Sequence, residues 1–361
     1  MKITKVIGYG LSSPIKSKFT YYGYQTNIKN IGIVEVHTDN GLIGFGETYV
    51  GVYCAELIAP TVKYLESYLV GLDPHNTDII NNIPFIGRSG LVKCIYSGID
   101  IAIHDILSKN KNVPLHQYLG GSLEKPNNIK LYASNGSAKF SPKQIENDVK
   151  HILDLGYTSY KMRIGVQSKD IDLKRLETAK KYLGNHNLMV DAIMGTNPNK
   201  WDYNEALNWG KNLEQFNTLW LEEPFTPTFV DEYSKLLSES KTKIAGGESL
   251  NQFLEFKIYK DKKAVDIIQP DVTNSGGIIE CNKVVDIFGN KNTAMHVWGS
   301  QVAINANEHF AKAHNVDYLE VPLMELEIND YIKGNGTGID INITDDIKSK
   351  YKLKNKIDFK L

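Results

Sequence analysis

The sequence predicts a closed parallel β/α barrel preceded by a smaller unit of mixed strands and helices. Eight short apolar runs recur after residue 125: "IKLYASN", "TSYKMRI", "NLMVDA", "TLWLEEP", "TKIAGGES", "VDIIQPD", "NTAMHVW" and "VDYLEVP". Helix-like segments separate them, as in "PKQIENDVKHILDLG", "DYNEALNWGKNLEQF" and "GGIIECNKVVDIFG". Eight strands alternating with helices is the pattern of a closed parallel barrel, whereas a doubly wound open sheet normally has fewer strands. The third observation is that the runs close on charged residues, which a barrel gathers at one mouth.

The elements follow in order. The first 125 residues contain "NIGIVEVHTDNGLIGFGETYV", two strand-like runs around Asp39-Asn40-Gly41, a turn that favours a hairpin. Helical patterning follows in "CAELIAPTVKYLESYLVG" and "SGIDIAIHDILSKNKN", and the turn-rich "PLHQYLGGSLEKPNN" marks a boundary. Barrel units then fill residues 126–322, and residues 323–361 form a C-terminal segment.

A chain of 361 residues fits two domains, or one large barrel with an added domain. Lys plus Arg total 41 against 42 for Asp plus Glu, a balance that gives no support for a nucleic-acid or membrane-surface partner. Cys54, Cys94 and Cys281 are far apart with no CxxC, and read as reduced thiols of a cytoplasmic protein. The start "MKITKVIGYG" lacks a signal-peptide core, and no run reaches membrane-spanning length.

The polar residues closing the strands are Lys161 and Arg163, Asp191, Glu222, Glu248, Asp271, His296 and Glu320, each 23 to 31 residues from the next. Residues at the C-terminal strand ends of a barrel converge on one mouth. A single charged strand end is usually a solvated terminus; seven in succession make that reading improbable. Asp191, Glu222 and Glu248 come from three successive strands and repel unless a cation neutralises them. Hard oxygen ligands with open positions suit Mg²⁺ better than zinc, because no Cys or His shares those positions. Asp271 and His296 end adjacent strands, an arrangement in which the carboxylate orients an imidazole as general base or acid. Lys161 and Arg163 share a face, and Arg163, which does not lose its proton, is expected to lower the pKa of Lys161. Glu320, beside three carboxylates, is expected to be raised and to donate a hydrogen bond. Glu222 and Glu223, adjacent in a strand, are expected to point to opposite faces. Together the groups fit proton abstraction α to a carboxylate.

These residues resemble the enolase superfamily in its mandelate racemase-like subgroup. "SGIDIAIHDILSKNKNVPLHQYLGG" is similar to its helix before the barrel; "VDA", "WLEEP" and "GGES" match its magnesium ligands at Asp191, Glu222 and Glu248. Asp271 in "QPDVTNSGG" and His296 in "MHVWG" match its dyad, and Glu320 in "YLEVP" its final-strand electrophile. The resemblance implies a TIM-type barrel holding one Mg²⁺ per subunit, under an α+β capping domain completed by the C-terminal tail. Loops at Phe19–Gln25 and Glu47–Tyr53 would close over the substrate. Two positions depart from the pattern: Arg163 replaces the second lysine of Lys-x-Lys, and Ile193 stands where asparagine is common. Losing that lysine argues against a racemase and for one-base dehydration with His296 as base and Lys161 a second candidate.

The resemblance implies a cytoplasmic acid-sugar dehydratase, a homo-oligomer by default, giving 2-keto-3-deoxy acids from substrates of R configuration at the α-carbon. D-Gluconate, D-galactonate and D-xylonate are the aldonic candidates. A racemase, epimerase or cycloisomerase on the same scaffold is the nearest alternative. A metal-free glycosidase and a non-catalytic sugar-acid-binding barrel are more remote.

Overall fold

The computed structural model describes residues 1–16, 20–21, 24–25, 27–76, 83–84, 89–121, 129–197 and 199–354. The boundary expected near residue 125 and the end of the tail lie outside them. So do Phe19, Tyr22 and Gly23 of the first expected lid loop.

The N-terminal strands are β1 (Ile3–Pro14), β2 (Thr20–Tyr21), β3 (Tyr24–Gln25), β4 (Ile28–Thr38) and β5 (Ile43–Thr48). β1, β4 and β5 form an antiparallel sheet in the order β1-β4-β5, and β2 pairs with β3. The turn between β4 and β5 is the expected one, with Gly41 at φ +84°. β4 is buried on both faces, as its alternation shows. Val34 and Val36 pack with Ile58 and Ile99 of two helices, Ile58–Leu69 and Leu91–Asn110. Ile31 and Ile33 turn the other way, into a cluster with Met295 and Trp298 of the barrel. Lys29 has the same parity as Ile31 and Ile33 and so faces the barrel. The sheet meets the long helix closely because Gly44 and Gly46 have no side chains. A Cβ at Gly46 would fall 1.9 Å from the Gly98 carbonyl oxygen. Asp105 of that helix, buried, accepts from the backbone N–H of Phe45 and of Ile339, tying helix, sheet and C-terminal segment together.

The barrel strands are β6 (Lys130–Ser134), β7 (Ser159–Arg163), β8 (Asn187–Asp191), β9 (Leu221–Glu222), β10 (Ile244–Gly246), β11 (Ile267–Ile268), β12 (Ala294–Met295) and β13 (Tyr318–Pro322). They are parallel, in the order β11-β10-β9-β8-β7-β6-β13-β12, and a bridge from Ile268 to Thr293 closes the ring. All eight coincide with the apolar runs of the sequence. Each strand from β6 to β12 is followed by a helix, Pro142–Asp154 being the first and Gln301–His314 the last. After β13 the chain departs from strict alternation and returns to β1, through bridges Ile15–Leu326 and Leu11–Lys352. Inside, Tyr132, Met189, Trp220, Ala245, Ile267 and Ala294 fill the lower barrel. Trp220 meets Tyr132 and Tyr318 edge-on at 5.5 and 5.3 Å, so the barrel is a packed core beneath its mouth. No helix among the described residues is long and apolar enough to cross a membrane.

Near the joint between the two units, His116 and His309 stack with ring centroids 5.2 Å apart, and their Nδ1 atoms are 3.0 Å apart. The His116 backbone N–H also donates to His309 Nδ1, which must therefore be unprotonated. Burial first, then His116 and Lys312, push His309 down to about 3. Below the ordinary value of 6.5 the unfolded chain takes up a proton that the folded chain refuses, so stability falls as pH drops towards 3. Replacing His309 by Gln should flatten the pH dependence of urea-unfolding stability across this window, by several kcal/mol at its acid end. Parallel wild-type and H309Q curves between pH 6 and 4 would disprove the linkage.

Candidate active site

Register assembles the site. Arg163 pairs with Asp191 across β7 and β8, and Asp191 with Glu222 across β8 and β9, so these three strand ends stand in one row. Lys161, two residues earlier on β7, starts one layer lower and extends upward. Its Nζ donates to Glu222 Oε1 at 2.5 Å, and lies 2.9 Å from Glu320 Oε1 and 3.8 Å from Asp191 Oδ2. Arg163 sits 3.7 Å from Asp191 and donates to the Asn135 carbonyl at 2.7 Å. On the far wall, His296 Nδ1 contacts Asp271 Oδ2 at 3.0 Å, while Nε2 lies 3.3 Å from Glu248 and 4.0 Å from Glu320 Oε2. Glu320 thus stands between the two candidate proton carriers, one oxygen towards each. All eight residues expected from the sequence meet at this mouth.

Their ionisation differs from the expectation at two positions. Burial disfavours the Lys161 charge, but Glu222 and Glu320 outweigh it and hold the ammonium well above its usual range; the expected depression by Arg163 does not occur. Burial pushes Glu320 up, yet Lys161 and His296 outweigh it and bring the carboxyl down to about 2. Glu320 is therefore an acceptor at rest and not the expected donor. The reasons are the direct contacts of Lys161 with Glu222 and Glu320 and, for Glu320, the His296 ring as well. His296, lowered by burial and raised more strongly by Glu248, Glu320 and Asp271, reaches about 10 and is an imidazolium at rest. Asp191 is pushed up to about 8 by burial, then Glu222 and Glu248, against Lys161 and Arg163.

Glu223 also departs from the expectation. It lies just past β9 with φ +44°, so strand alternation does not govern it. Its buried carboxylate accepts from Ser249 Oγ at 3.2 Å. Burial, then Glu248, Asp191 and Glu222, holds it well above the usual range. Ile193 likewise has φ +51°, and its N–H donates to Asp191 Oδ1 at 2.7 Å.

Several supporting residues were not singled out from the sequence. Trp220 Nε1 and Gln269 Nε2 donate to Glu222 Oε2 at 3.1 and 2.8 Å. The Thr273 N–H and Oγ1 and the Asn307 amide donate to Asp271 Oδ1 and leave Oδ2 for His296. A signal for two of them existed: Trp220 and Gln269 lie two residues before Glu222 and Asp271, on the same strand face. The N-terminal unit contributes three more. Glu47 accepts from Ser300 N–H, Ser300 Oγ and Ala303 N–H at the start of helix Gln301–His314. The Tyr49 N–H donates to the Thr273 carbonyl and its ring meets His296 edge-on at 5.7 Å, so this part of the expected second lid is docked on the barrel. Lys29 Nζ lies 3.9 Å from the centre of the Trp298 ring. Burial pushes the Lys29 ammonium down to about 7, with Glu47 and Asp271 opposing.

Among the described residues, no three acidic, imidazole or thiol groups close into a ready-made metal cage. The donor chemistry nevertheless fits a hard divalent cation. Asp191 and Glu222 gather around the Lys161 ammonium, and burial first, then the neighbouring carboxylates, raises Asp191, Glu223 and Glu248, so a hard divalent cation would favour their ionised forms.

Residues 11–120 match the mandelate racemase/muconate lactonizing enzyme N-terminal domain, and residues 144–340 the enolase C-terminal domain-like family. The arabinonate dehydratase of Saccharolobus solfataricus is 28% identical over 313 residues, covering 82% of this chain and 80% of that protein. The L-talarate/galactarate dehydratase of Salmonella typhimurium is 29% identical over 286 residues, covering 77% and 70%. Its crystal structure liganded with Mg and L-lyxarohydroxamate superposes with a TM-score of 0.83 at 25% identity, covering 98% of this chain and 93% of that one. The D-galactarolactone cycloisomerase of Agrobacterium fabrum is 27% identical over 349 residues, covering 91% and 88%. With both domain models matched in order along a capped barrel, the chain belongs to the mandelate racemase/muconate lactonizing enzyme family of the enolase superfamily, in its mandelate racemase-like subgroup.

Proposed function

We propose that the protein is a Mg²⁺-dependent acid-sugar dehydratase that removes the proton α to a carboxylate and expels the β-hydroxyl as water. The observation that carries this reading is His296, held by Asp271 on one side and facing Glu248 and Glu320 on the other, with Lys161 on the second oxygen of Glu320. Dehydratases among the relatives add support.

Asp191, Glu222 and Glu248 are the residues that would hold the divalent ion, which when bound supplies electrophilic stabilisation of charge developing on the substrate carboxylate. The protein's own groups do the rest. Glu248 is the foremost cause of the high His296 pKa. With Glu248 holding the ion, His296 would lose its foremost anionic partner and would act as base at Nε2, while Asp271 keeps the other nitrogen protonated. The α-carbon proton passes to Nε2, leaving its electron pair on the substrate as an enediolate. Lys161 and Arg163 face that charge as fixed cations. The electron pair then forms the carbon–carbon double bond as the β-carbon–oxygen bond breaks, and the imidazolium returns the proton to the departing hydroxyl. Water and an enol result, and the enol tautomerises to a 2-keto-3-deoxy acid. Lys161, paired with three carboxylates, serves as a charge and not as a second base.

The Agrobacterium relative keeps a cycloisomerase reading open, and isotope exchange separates the two. In deuterated water, sugar acids of R configuration at the α-carbon, with D-gluconate, D-galactonate and D-xylonate as aldonic members of the panel, should release a 2-keto-3-deoxy acid. Unreacted substrate should gain no inverted epimer. Both epimers without keto acid would instead mean racemisation or isomerisation. Replacing His296 by Asn should lower kcat at least about 10³-fold with Mg²⁺ affinity retained, and EDTA should abolish turnover reversibly. Activity unchanged by either removes the reading. In the metal-free protein the His296 ring should titrate by NMR near 10, and D271N should lower that value, since Asp271 favours the imidazolium.

A further inference from the structure

We propose that Lys29, carried by the N-terminal sheet, binds a second carboxylate at the far end of the substrate, which makes aldaric acids the preferred sugar acids. This rests on the acid-sugar reading above and specifies its substrate class.

The inference starts from an ammonium without an acceptor. Lys29 is 4% exposed, and its Nζ has no hydrogen-bond partner among the described residues. Nor does any carboxylate come within ion-pair distance of it there. Glu47, foremost among the acidic groups acting on Lys29, is occupied at the start of helix Gln301–His314 by Ser300 and Ala303. The face of Trp298 supports the cation at 3.9 Å but supplies no hydrogen-bond acceptor. Burial leaves the Lys29 charge only weakly held, and an anion placed at Nζ would restore it, because a buried charge needs a partner.

Position then identifies the missing partner. Lys29 shares its strand face with Ile31 and Ile33, which pack on the barrel, and Trp298 follows His296 by two residues. Arg163 approaches the same indole from the barrel side, its guanidinium carbon 5.7 Å from the ring centre. Two cations from different domains therefore converge on one aromatic surface beside the catalytic row. Arg163 lies one layer above Lys161 on β7, about 6.6 Å along a strand. A sugar acid with its reacting carboxylate among Lys161, Glu222 and Arg163 extends its remaining carbons out of the mouth, towards the sheet that carries Lys29. A hydroxymethyl end would offer Lys29 a weak neutral acceptor. A carboxylate end would satisfy both the charge and the donors.

The test compares galactarate with D-galactonate, which differ at the far end, on the Mg²⁺-loaded full-length protein. Wild type should favour galactarate at least about 10-fold in kcat/KM. Lys29→Met should shrink that ratio roughly 10- to 100-fold, mainly through KM, and Lys29→Arg should restore most of it. A parallel arm titrates both ligands calorimetrically into Mg²⁺-loaded H296N protein with and without K29M. If wild type dehydrates no sugar acid, the dehydratase reading fails while this arm still reports on Lys29. Galactarate binding that K29M weakens selectively supports the proposal. Equal affinity for the two ligands with Lys29 present, or a loss common to both in K29M, overturns it.

Discussion

The structure depends on how much negative charge one barrel mouth can bury. Asp191, Glu222, Glu223, Glu248, Asp271 and Glu320 all lie there, and only Glu248 exceeds a few per cent exposure. Lys161, Arg163 and His296 are the mouth's own cations. Lys161 supplies the shortest contacts, and its removal would leave Glu222 with neutral donors alone and Glu320 with His296 at 4.0 Å. The balance is visibly incomplete. Asp191 is raised despite Lys161 and Arg163, and Glu248 finds its partner in the His296 ring. A divalent cation and an anionic substrate arriving together would add only a small net charge while satisfying both sets. Under the proposed function such a mouth would favour the pair, because either alone would leave charge unpaired in a low-dielectric site.

The same coupling explains why individual residues behave differently from what their types imply. Arg163 is near Lys161 in sequence, yet the carboxylates, not the guanidinium, dominate the lysine. Strand periodicity places Lys161 and Arg163 on one face, but it says nothing of how far each side chain reaches. Lys161 bends among three carboxylates, while Arg163 turns towards Asn135 and Trp298.

The strand positions and the mouth residues were legible in the sequence because a parallel barrel repeats at nearly constant spacing and delivers each strand's last residue to the same place. Asp191, Glu222, Glu248, Asp271, His296 and Glu320 needed only that rule. What escaped is what periodicity does not encode. Glu223 left its expected face because the chain takes a left-handed turn directly after β9. The ionisation of Glu320 follows from its contact with Lys161 of β7 and from the His296 ring beyond β12. Asn307 reaches Asp271 from a helix 36 residues away. Lys29 looked like an ordinary strand lysine, since nothing near it in sequence reveals that Trp298 and Arg163 stand opposite.

The placement of Lys29 also bears on how the two domains divide the work. The barrel supplies groups whose positions are set by the strand register, so chemistry at the reacting carbon is tied to a rigid frame. The N-terminal sheet is held to that frame through Glu47, whose carboxylate takes three donors from residues 300–303, and through the Tyr49–Thr273 backbone bond. These contacts fix β4 relative to β12 without using any group of the catalytic row. A side chain on β4 can therefore change while the proton-handling residues stay in place. That separation would let the proposed far-end recognition change with little effect on the α-proton chemistry, since Lys29 acts on Asp271 and Glu320 through charge and not through contact.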